Sequence, residues 1–223
     1  MRPWKLLDST SVAGEAHDMK LYQRGDEYSI KTGYSELMNS RMHSSEDVLA
    51  KLGCKNIGHK ADAHVLIGGL GMGFTLAETL KHTHKQANIT VAELVPAVVE
   101  WNQSHLAELA GNPLQDKRVS VFQGDVGQLI RESNNTFDTI LLDVDNGPEG
   151  LTRQENGALY SPNGLKAAKK ALKPKGIFAV WSAFPEPRFT KRMKQAGFQT
   201  SEVPCRAHGK KGSKHMIWLG VNT

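Results

Sequence analysis

Short apolar runs alternate with amphipathic segments along most of the chain. Five runs have the length and composition of strands: AHVLI (63–67), ITVAE (89–93), RVSVF (118–122), FDTILLD (137–143) and GIFAVWS (176–182). Helical patterns lie between them, at about 74–85, 95–110, 126–132 and 162–173. Strands that alternate with helices predict a mostly parallel sheet covered on both faces. We therefore expect an α/β fold, doubly wound and Rossmann-like.

The pattern changes after the last of these strands. RFTKRMKQAG (188–197) predicts a helix, and FQTSEVPCRA and HMIWLGV then follow as two strands in direct succession. Such strands pair antiparallel, so the sheet is expected to end in an antiparallel β-hairpin.

The N-terminal part predicts a small β-rich appendage. KLYQR (20–24) and EYSIK (27–31) flank a Gly-Asp turn, and GYSELM is a candidate third strand. Ser44 or Ser45 is expected to cap a short helix that Gly53 ends. We place this appendage and helix at residues 1–58 and the main domain at residues 59–223.

A glycine-rich turn follows the first strand of the main domain. LIGGLGMGFTLAETL (66–80) has four glycines in six positions, and they let the backbone bend sharply and approach a ligand. The dinucleotide fingerprint fails because Phe74 stands where its third small residue should be. The remaining pattern resembles the nucleoside-sulfonium loop of class I methyltransferase-like proteins. The candidate ligand-binding glycines are Gly68, Gly69, Gly71 and Gly73.

Acidic residues follow the next three strands. Glu93 ends the second strand, where a carboxylate can accept hydrogen bonds from ribose hydroxyls. Asp125 and Val126 follow the third strand, and Asp143 and Asp145 follow the fourth. The carboxyl ends of parallel strands meet at one edge of a sheet, so these acids are expected to share a cleft. A carboxylate in such a cleft can accept a proton from an attacking amine.

These motifs together resemble the spermidine synthase family, aminopropyltransferases on the class I methyltransferase-like fold. VLIGGLGMG resembles its VLIIGGGDGG, VAELVPAVVE its VxLVEID segment, Gly124-Asp125 its adenine-side GD, and LLDVDNGP its D-[ST]-[ST]-D-P-x-G-P. The similarity extends from about residue 19 onward. It implies that Glu93 binds the ribose and Asp125 the adenine, with Val126 beside it in the cofactor site. It also implies that Asp143 is the catalytic base that deprotonates the attacking amine, and that Asp145, if a gap is allowed, matches the family's second catalytic Asp, which holds the amine.

The resemblance also implies the ligands. The donor would be S-adenosylmethionine or decarboxylated S-adenosylmethionine, and the product S-adenosylhomocysteine or methylthioadenosine. The acceptor would be a small-molecule amine or another small acceptor. The family's tendency to pair suggests a homodimer. His43 and Glu46, just before the main domain, and the aromatic residues Tyr160 and Trp181 are substrate-side candidates.

One departure from the family pattern leaves two alternatives for the identity of the donor. Met72 stands where the family has an Asp that contacts the aminopropyl end of the donor. Aminopropyl transfer from the decarboxylated donor to an amine is our first hypothesis. Methyl transfer from S-adenosylmethionine to a small molecule is the alternative, with RNA ranked below it as acceptor. A nucleoside-binding protein without catalysis is a fourth hypothesis.

Composition and charge indicate the size of the domain, the cellular compartment and the class of partner. The 223 residues suffice for one sizeable domain, and no apolar stretch reaches membrane-spanning length. The N-terminus lacks a signal-like apolar core, and two distant cysteines fit a reducing compartment, so we expect a cytoplasmic protein. A net charge of +5 is too modest to favour nucleic acid as a partner. His82 and His84 point to different helix faces without companions, so no metal is expected.

Overall fold

The computed structural model describes residues 2–144, 148, 157–208 and 211–223, and of His208 and Lys211 only the backbone. Within them the strands are β1 (Lys5–Thr10), β2 (Met19–Arg24), β3 (Glu27–Thr32), β4 (Ser35–Asn39), β5 (His64–Gly68), β6 (Asn88–Glu93), β7 (Val119–Gln123), β8 (Phe137–Leu142), β9 (Leu172–Ser182), β10 (Phe198–His208) and β11 (Lys211–Asn222). The helices are α1 (Ser44–Cys54), α2 (Phe74–His82), α3 (Pro96–Gln103), α4 (Val126–Glu132), α5 (Gly157–Tyr160), α6 (Pro162–Ala171) and α7 (Pro187–Gln195), with a 3₁₀ turn at Pro113–Gln115.

Seven strands form the main sheet in the order β10-β11-β9-β8-β5-β6-β7. Strands β9, β8, β5, β6 and β7 are parallel, while β11 pairs antiparallel with both β9 and β10. The predicted doubly wound sheet with a terminal antiparallel hairpin is confirmed. The chain moves outward from β5 to β7 and then returns to β8 on the other side of β5. This reversal of strand order opens a crevice at the carboxyl ends of β5 and β8.

The first four strands form a separate antiparallel sheet in sequential order. The predicted hairpin and third strand are β2, β3 and β4. Strand β1 was missed by the sequence analysis because four of its six residues are exposed and its apolar positions show no regular alternation. Trp101 on α3 donates a hydrogen bond from Nε1 to Asp8 Oδ2 at 2.6 Å, which joins β1 to the main domain.

Helix α1 packs directly on the main sheet. Gly53 lies against Leu141 and Thr139 of β8, and the Thr139 hydroxyl donates to the Gly53 carbonyl at 2.8 Å. The predicted serine cap is wrong: the N-cap residue is His43, and it makes no side-chain capping hydrogen bond. Ser45 lies inside the helix, where its hydroxyl bonds to Glu46 instead. The boundary at residue 58 stays a prediction.

Two predicted helices are shorter in the structure. The helical patterns at 74–85 and 95–110 end at His82 and Gln103 in the structure. After α3 the backbone leaves helical geometry at Ser104, with φ −130° and ψ −96°. The cap predicted at Ser161 is confirmed, since its hydroxyl accepts a hydrogen bond from the Gly164 N–H at 3.1 Å.

Candidate functional site

A cavity of about 420 Å³ lies at the carboxyl ends of β5, β6 and β8. Its floor comes from the predicted motifs after these strands and after β7, namely Gly69, Gly71, Glu93, Asp125, Val126 and Asp143. The N-terminal sheet forms the opposite wall through Met19, Ile30, Thr32, Leu37 and Met38. Glu46, Trp181 and His215 close one side. The two sheets therefore enclose the site between them, and its size is that of a small-ligand pocket.

The glycine turn forms the floor of the cavity. Gly69 has φ +88°, and a side chain there would collide with the backbone carbonyl of Asp143. The Asp143 N–H donates to the Gly68 carbonyl at 2.9 Å, which ties the ends of β5 and β8 together. Gly68 and Gly73 do not line the cavity. Gly73 instead starts helix α2 with φ +83°.

Glu93 is buried at the end of β6, with 8% of its surface exposed. Its carboxylate accepts hydrogen bonds from the N–H groups of Leu70 at 2.9 Å and Val95 at 2.8 Å. Burial raises the pKa of this carboxyl group, and the backbone donors partly oppose the rise. Glu93 thus fixes the shape of the glycine turn while it faces the cavity.

Asp125 is the N-cap residue of α4. Its carboxylate accepts hydrogen bonds from Gly127 N at 2.8 Å and Gln128 N at 3.1 Å, and Arg131 lies 3.3 Å away. The side chain remains 45% exposed and lines the cavity beside Val126, which is 5% exposed. The capping role accounts for the aspartate structurally, and the same side chain lines the cavity.

Asp143 lies partly buried between β8 and the glycine turn. The Thr75 hydroxyl on α2 donates a hydrogen bond to its Oδ2 at 2.8 Å. Burial raises the pKa of Asp143 to about 6, and the bond from Thr75 opposes the rise. A carboxylate with this pKa is ionised near neutral pH and holds a received proton more firmly than an exposed aspartate does.

Glu46 on α1 is the second buried acid of the cavity, with 6% of its surface exposed. Ser45 Oγ donates to Glu46 Oε2 at 2.6 Å, and His215 Nδ1 lies 3.0 Å from the same hydroxyl oxygen. Burial, and after it the charge of Asp143, raises the pKa of Glu46 to about 8. The ring of Trp181 packs edge-on against His215 at 4.8 Å. Glu46 and Trp181 both line the cavity, and their contact with a substrate stays a prediction.

Sequence analysis missed Thr75, Ser45 and His215. Thr75 is only 3% exposed inside a helix, so its sequence context resembles that of any core threonine. Ser45 and His215 are 170 residues apart in the chain, and only the packing of α1 beside β11 brings them together. No local signal could have identified this pair.

Two substrate-side candidates do not line the cavity. His43 stacks on Phe74 at 4.1 Å and pairs with Asp47 at 3.2 Å. Tyr160 is 2% exposed and packs edge-on against Phe189 at 5.8 Å, in the core between helices and sheet. Local packing therefore accounts for both side chains. Asp145, the other predicted catalytic acid, lies outside the described residues.

Carboxyl groups predominate among the ionisable side chains that line the cavity. Six of its described lining residues carry carboxyl groups: Glu15, Glu36, Glu46, Glu93, Asp125 and Asp143. Among the described lining residues there is no Lys or Arg. Met72 is fully buried in the core rather than exposed to the cavity. The site therefore suits a cationic ligand and offers no strong partner for a carboxylate.

In the described part of the chain, no group of three or more His, Cys, Asp or Glu side chains is arranged so that it could bind a metal ion. None of its helices combines the length and apolar character needed to cross a membrane.

Comparison with known proteins relates this architecture to one family. The model of the spermine/spermidine synthase domain matches residues 43–201. A polyamine aminopropyltransferase of Oceanobacillus iheyensis is 29% identical over 178 residues, or 78% of this chain and 32% of that protein. One of Clostridium tetani is 31% identical over 140 residues, or 60% of this chain and 47% of that protein. The chain thus covers less than half the length of these two relatives.

The fold has solved counterparts. A spermidine synthase from Thermotoga maritima superposes with a TM-score of 0.77 at 17% identity, over 98% of this chain and 73% of that chain. This likeness confirms the predicted fold.

Proposed function

Because the chain belongs to the spermine/spermidine synthase family, we propose that it transfers an aminopropyl group from decarboxylated S-adenosylmethionine to a small-molecule amine. The proposal rests on one observation above all, the carboxylate-lined cavity without a described Lys or Arg. The decarboxylated donor carries a sulfonium and an ammonium group, and the acceptor adds an amine. Each of these groups favours carboxylates as neighbours.

The same observation argues against methyl transfer. Intact S-adenosylmethionine carries a carboxylate, which would enter a cavity that already holds several carboxyl groups. The sequence argument for a methyl donor relied on Met72, which stands in place of an acidic residue. Since Met72 lies in the core, its side chain does not reach the cavity, so it cannot distinguish a methyl donor from an aminopropyl donor by direct contact.

Each floor residue has a role in the proposed reaction. Glu93 would bind the ribose hydroxyls, Asp125 and Val126 the adenine, and Gly69 and Gly71 would let the donor approach the backbone. Asp143 accepts a proton from the attacking amine. The amine lone pair then forms the new N–C bond while the C–S bond breaks, and its electron pair leaves with the sulfur of methylthioadenosine. Enclosure between the two sheets orients the reactants and excludes water.

The test is release of methylthioadenosine. Purified protein would be incubated with decarboxylated S-adenosylmethionine and putrescine, and the products separated by chromatography. We expect methylthioadenosine to form together with the aminopropylated amine. Asp143→Asn should abolish turnover and retain nucleoside binding, whereas the exposed-site control Asp26→Asn should match the wild type. Methyl transfer from S-adenosylmethionine with no turnover of the decarboxylated donor would refute the proposal.

We also propose that the protein is cytoplasmic and that it forms a homodimer. The support is the family's tendency to pair and the two distant cysteines, which are unpaired in the structure. Light scattering of the purified protein tests the dimer.

A further inference from the structure

Two hydrogen bonds connect the buried acid Glu46 to the ring of His215. Ser45 lies between them, fully buried, with its hydroxyl oxygen 2.6 Å from Glu46 Oε2 and 3.0 Å from His215 Nδ1. His215 is partly exposed and lines the cavity, while its ring contacts Trp181. The chain of bonds therefore leads from a buried carboxyl group to a half-buried imidazole.

The direction of both bonds depends on the protonation of Glu46. A serine hydroxyl has one hydrogen to donate. When Glu46 is ionised, Ser45 donates to it, so His215 Nδ1 must donate to Ser45. When Glu46 carries a proton on Oε2, it can donate to Ser45, and Ser45 then donates to the Nδ1 lone pair. The histidine tautomer is thus coupled to the charge of an acid that it does not touch.

The groups around Glu46 determine when its proton leaves. Burial is the main cause that raises the pKa of Glu46; the charge of Asp143, which lines the same cavity, and that of Asp47 on the same helix raise it further, while the hydrogen bond from Ser45 opposes the rise. Once Asp143 accepts a proton from the amine, its charge disappears and its contribution to the proton affinity of Glu46 disappears with it. The Cys205 thiol on β10 does not compete, because burial raises its pKa to about 11. Neutralisation of Asp143 therefore favours release of the Glu46 proton.

We propose that Ser45 and His215 carry this proton out of the active site, an inference that rests on the proposed aminopropyl transfer. As Asp143 takes a proton from the attacking amine, the Glu46 O–H bond breaks and a new O–H bond forms at Ser45. The original Ser45 O–H bond breaks as an N–H bond forms at His215 Nδ1. The imidazolium then loses its Nε2 proton to water. Asp143 then passes its proton to Glu46 through a water in the cavity that both acids line. The ring loses its Nδ1 proton to water and takes one up at Nε2, which restores Asp143, Glu46 and the Nε2–H tautomer for the next turnover.

Burial lowers the pKa of His215, so the ring is neutral at pH 7, keeps a lone pair on one nitrogen and readily releases to water a proton that it has received. Ser45 and His215 act through Glu46 and are positioning residues rather than groups that touch the substrate.

Two substitutions at one position separate proton transfer from packing. Asn can replace the hydrogen bond of His215 Nδ1 but cannot take up a proton, whereas Ala removes both properties. We expect His215→Asn and His215→Ala each to lower kcat at pH 7 by about tenfold or more, the lower range for general acid–base groups, with unchanged affinity for methylthioadenosine. The exposed-site control His59→Asn should match the wild type. If the His215→Asn variant kept the kcat and the pH profile of the wild type, the proposal would be overturned.

A second measurement does not require turnover. The ¹⁵N shifts of the His215 ring should show an inflection near pH 8, where Glu46 titrates, and Ser45→Ala should remove it. If the wild type showed no such inflection, the His215 ring would not be coupled to the protonation of Glu46. A wild type that releases no methylthioadenosine would contradict the proposed function instead. The ring titration still determines in that case whether the hydrogen-bonded chain responds to Glu46.

Discussion

At the scale of a single residue, Thr75 is expected to determine the pH below which the proposed reaction slows. Its hydroxyl stabilises the ionised form of Asp143, whose pKa burial raises to about 6. Thr75→Val keeps the shape of the side chain and removes the donor, so the pKa of Asp143 should rise further. We predict that the acid limb of kcat/KM moves to higher pH than in the wild type. A pH profile with the limb unmoved would show that Asp143 is not the titrating base.

Glu46 should make the stability of the protein depend on pH. Its pKa is raised to about 8 in the folded state, above the value of about 4.3 for an unperturbed glutamate, so it binds a proton more tightly when folded. The stabilisation from this group is complete below about pH 4 and is lost as pH rises through 8.

Glu46→Gln should therefore change little at pH 5 and raise the free energy of unfolding at pH 9 by on the order of 1 kcal/mol or more. Urea unfolding at both pH values measures this, with the exposed Glu100→Gln as the control. Equal effects at the two pH values would contradict the burial of an ionising Glu46.

At the scale of elements, a buried aspartate joins three segments at the other end of the sheet. Asp138 on β8 accepts from Lys60 at 2.6 Å, from Lys173 on β9 at 2.8 Å and from the His64 N–H at 2.8 Å. Burial raises the pKa of Asp138, but the two lysines outweigh it and lower the pKa below its usual range. Its stabilising contribution is therefore present above about pH 4 and lost as pH falls.

Asp138→Asn should destabilise the protein by about 2 kcal/mol at pH 7, less than for a fully buried pair because the lysines are partly exposed. The difference from the wild type should shrink at pH 3. Denaturant titrations at both pH values measure it, and nucleoside affinity should stay unchanged because Asp138 lies away from the cavity. If the stability difference between the wild type and Asp138→Asn were equally large at pH 3, the stabilisation by Asp138 would not be ionic in origin.

Sequence periodicity predicted the order of elements but not all of their contacts. The strands of the main sheet were identified because each is a short apolar run followed by a polar turn, which local sequence specifies. Strand β1 was missed because it is mostly exposed, and it is held partly by the distant contact between Asp8 and Trp101. The sequence predicted that the glycine turn, Glu93 and Asp125 lie close together, and they line one cavity because a strand end fixes the position of each; their binding roles stay predictions. The link from Glu46 to His215 depends on tertiary packing and has no counterpart in the sequence.

At the scale of the whole molecule, two sheets enclose one negatively charged cavity. The main sheet supplies the floor through its strand ends, and the N-terminal sheet supplies the opposite wall. The chain carries a net charge of +5, yet none of its described Lys or Arg side chains lines this cavity. The sign of the local charge therefore selects the ligand, independently of the overall charge of the protein.

The most direct test compares the two donors by calorimetric titration at matched pH and salt. We predict that decarboxylated S-adenosylmethionine binds at least about tenfold more tightly than S-adenosylmethionine, a difference of about 1.4 kcal/mol. The physical reason is that only the intact donor must place a carboxylate among the carboxyl groups of the cavity. Equal or tighter binding of the intact donor would contradict aminopropyl transfer as the function of this site.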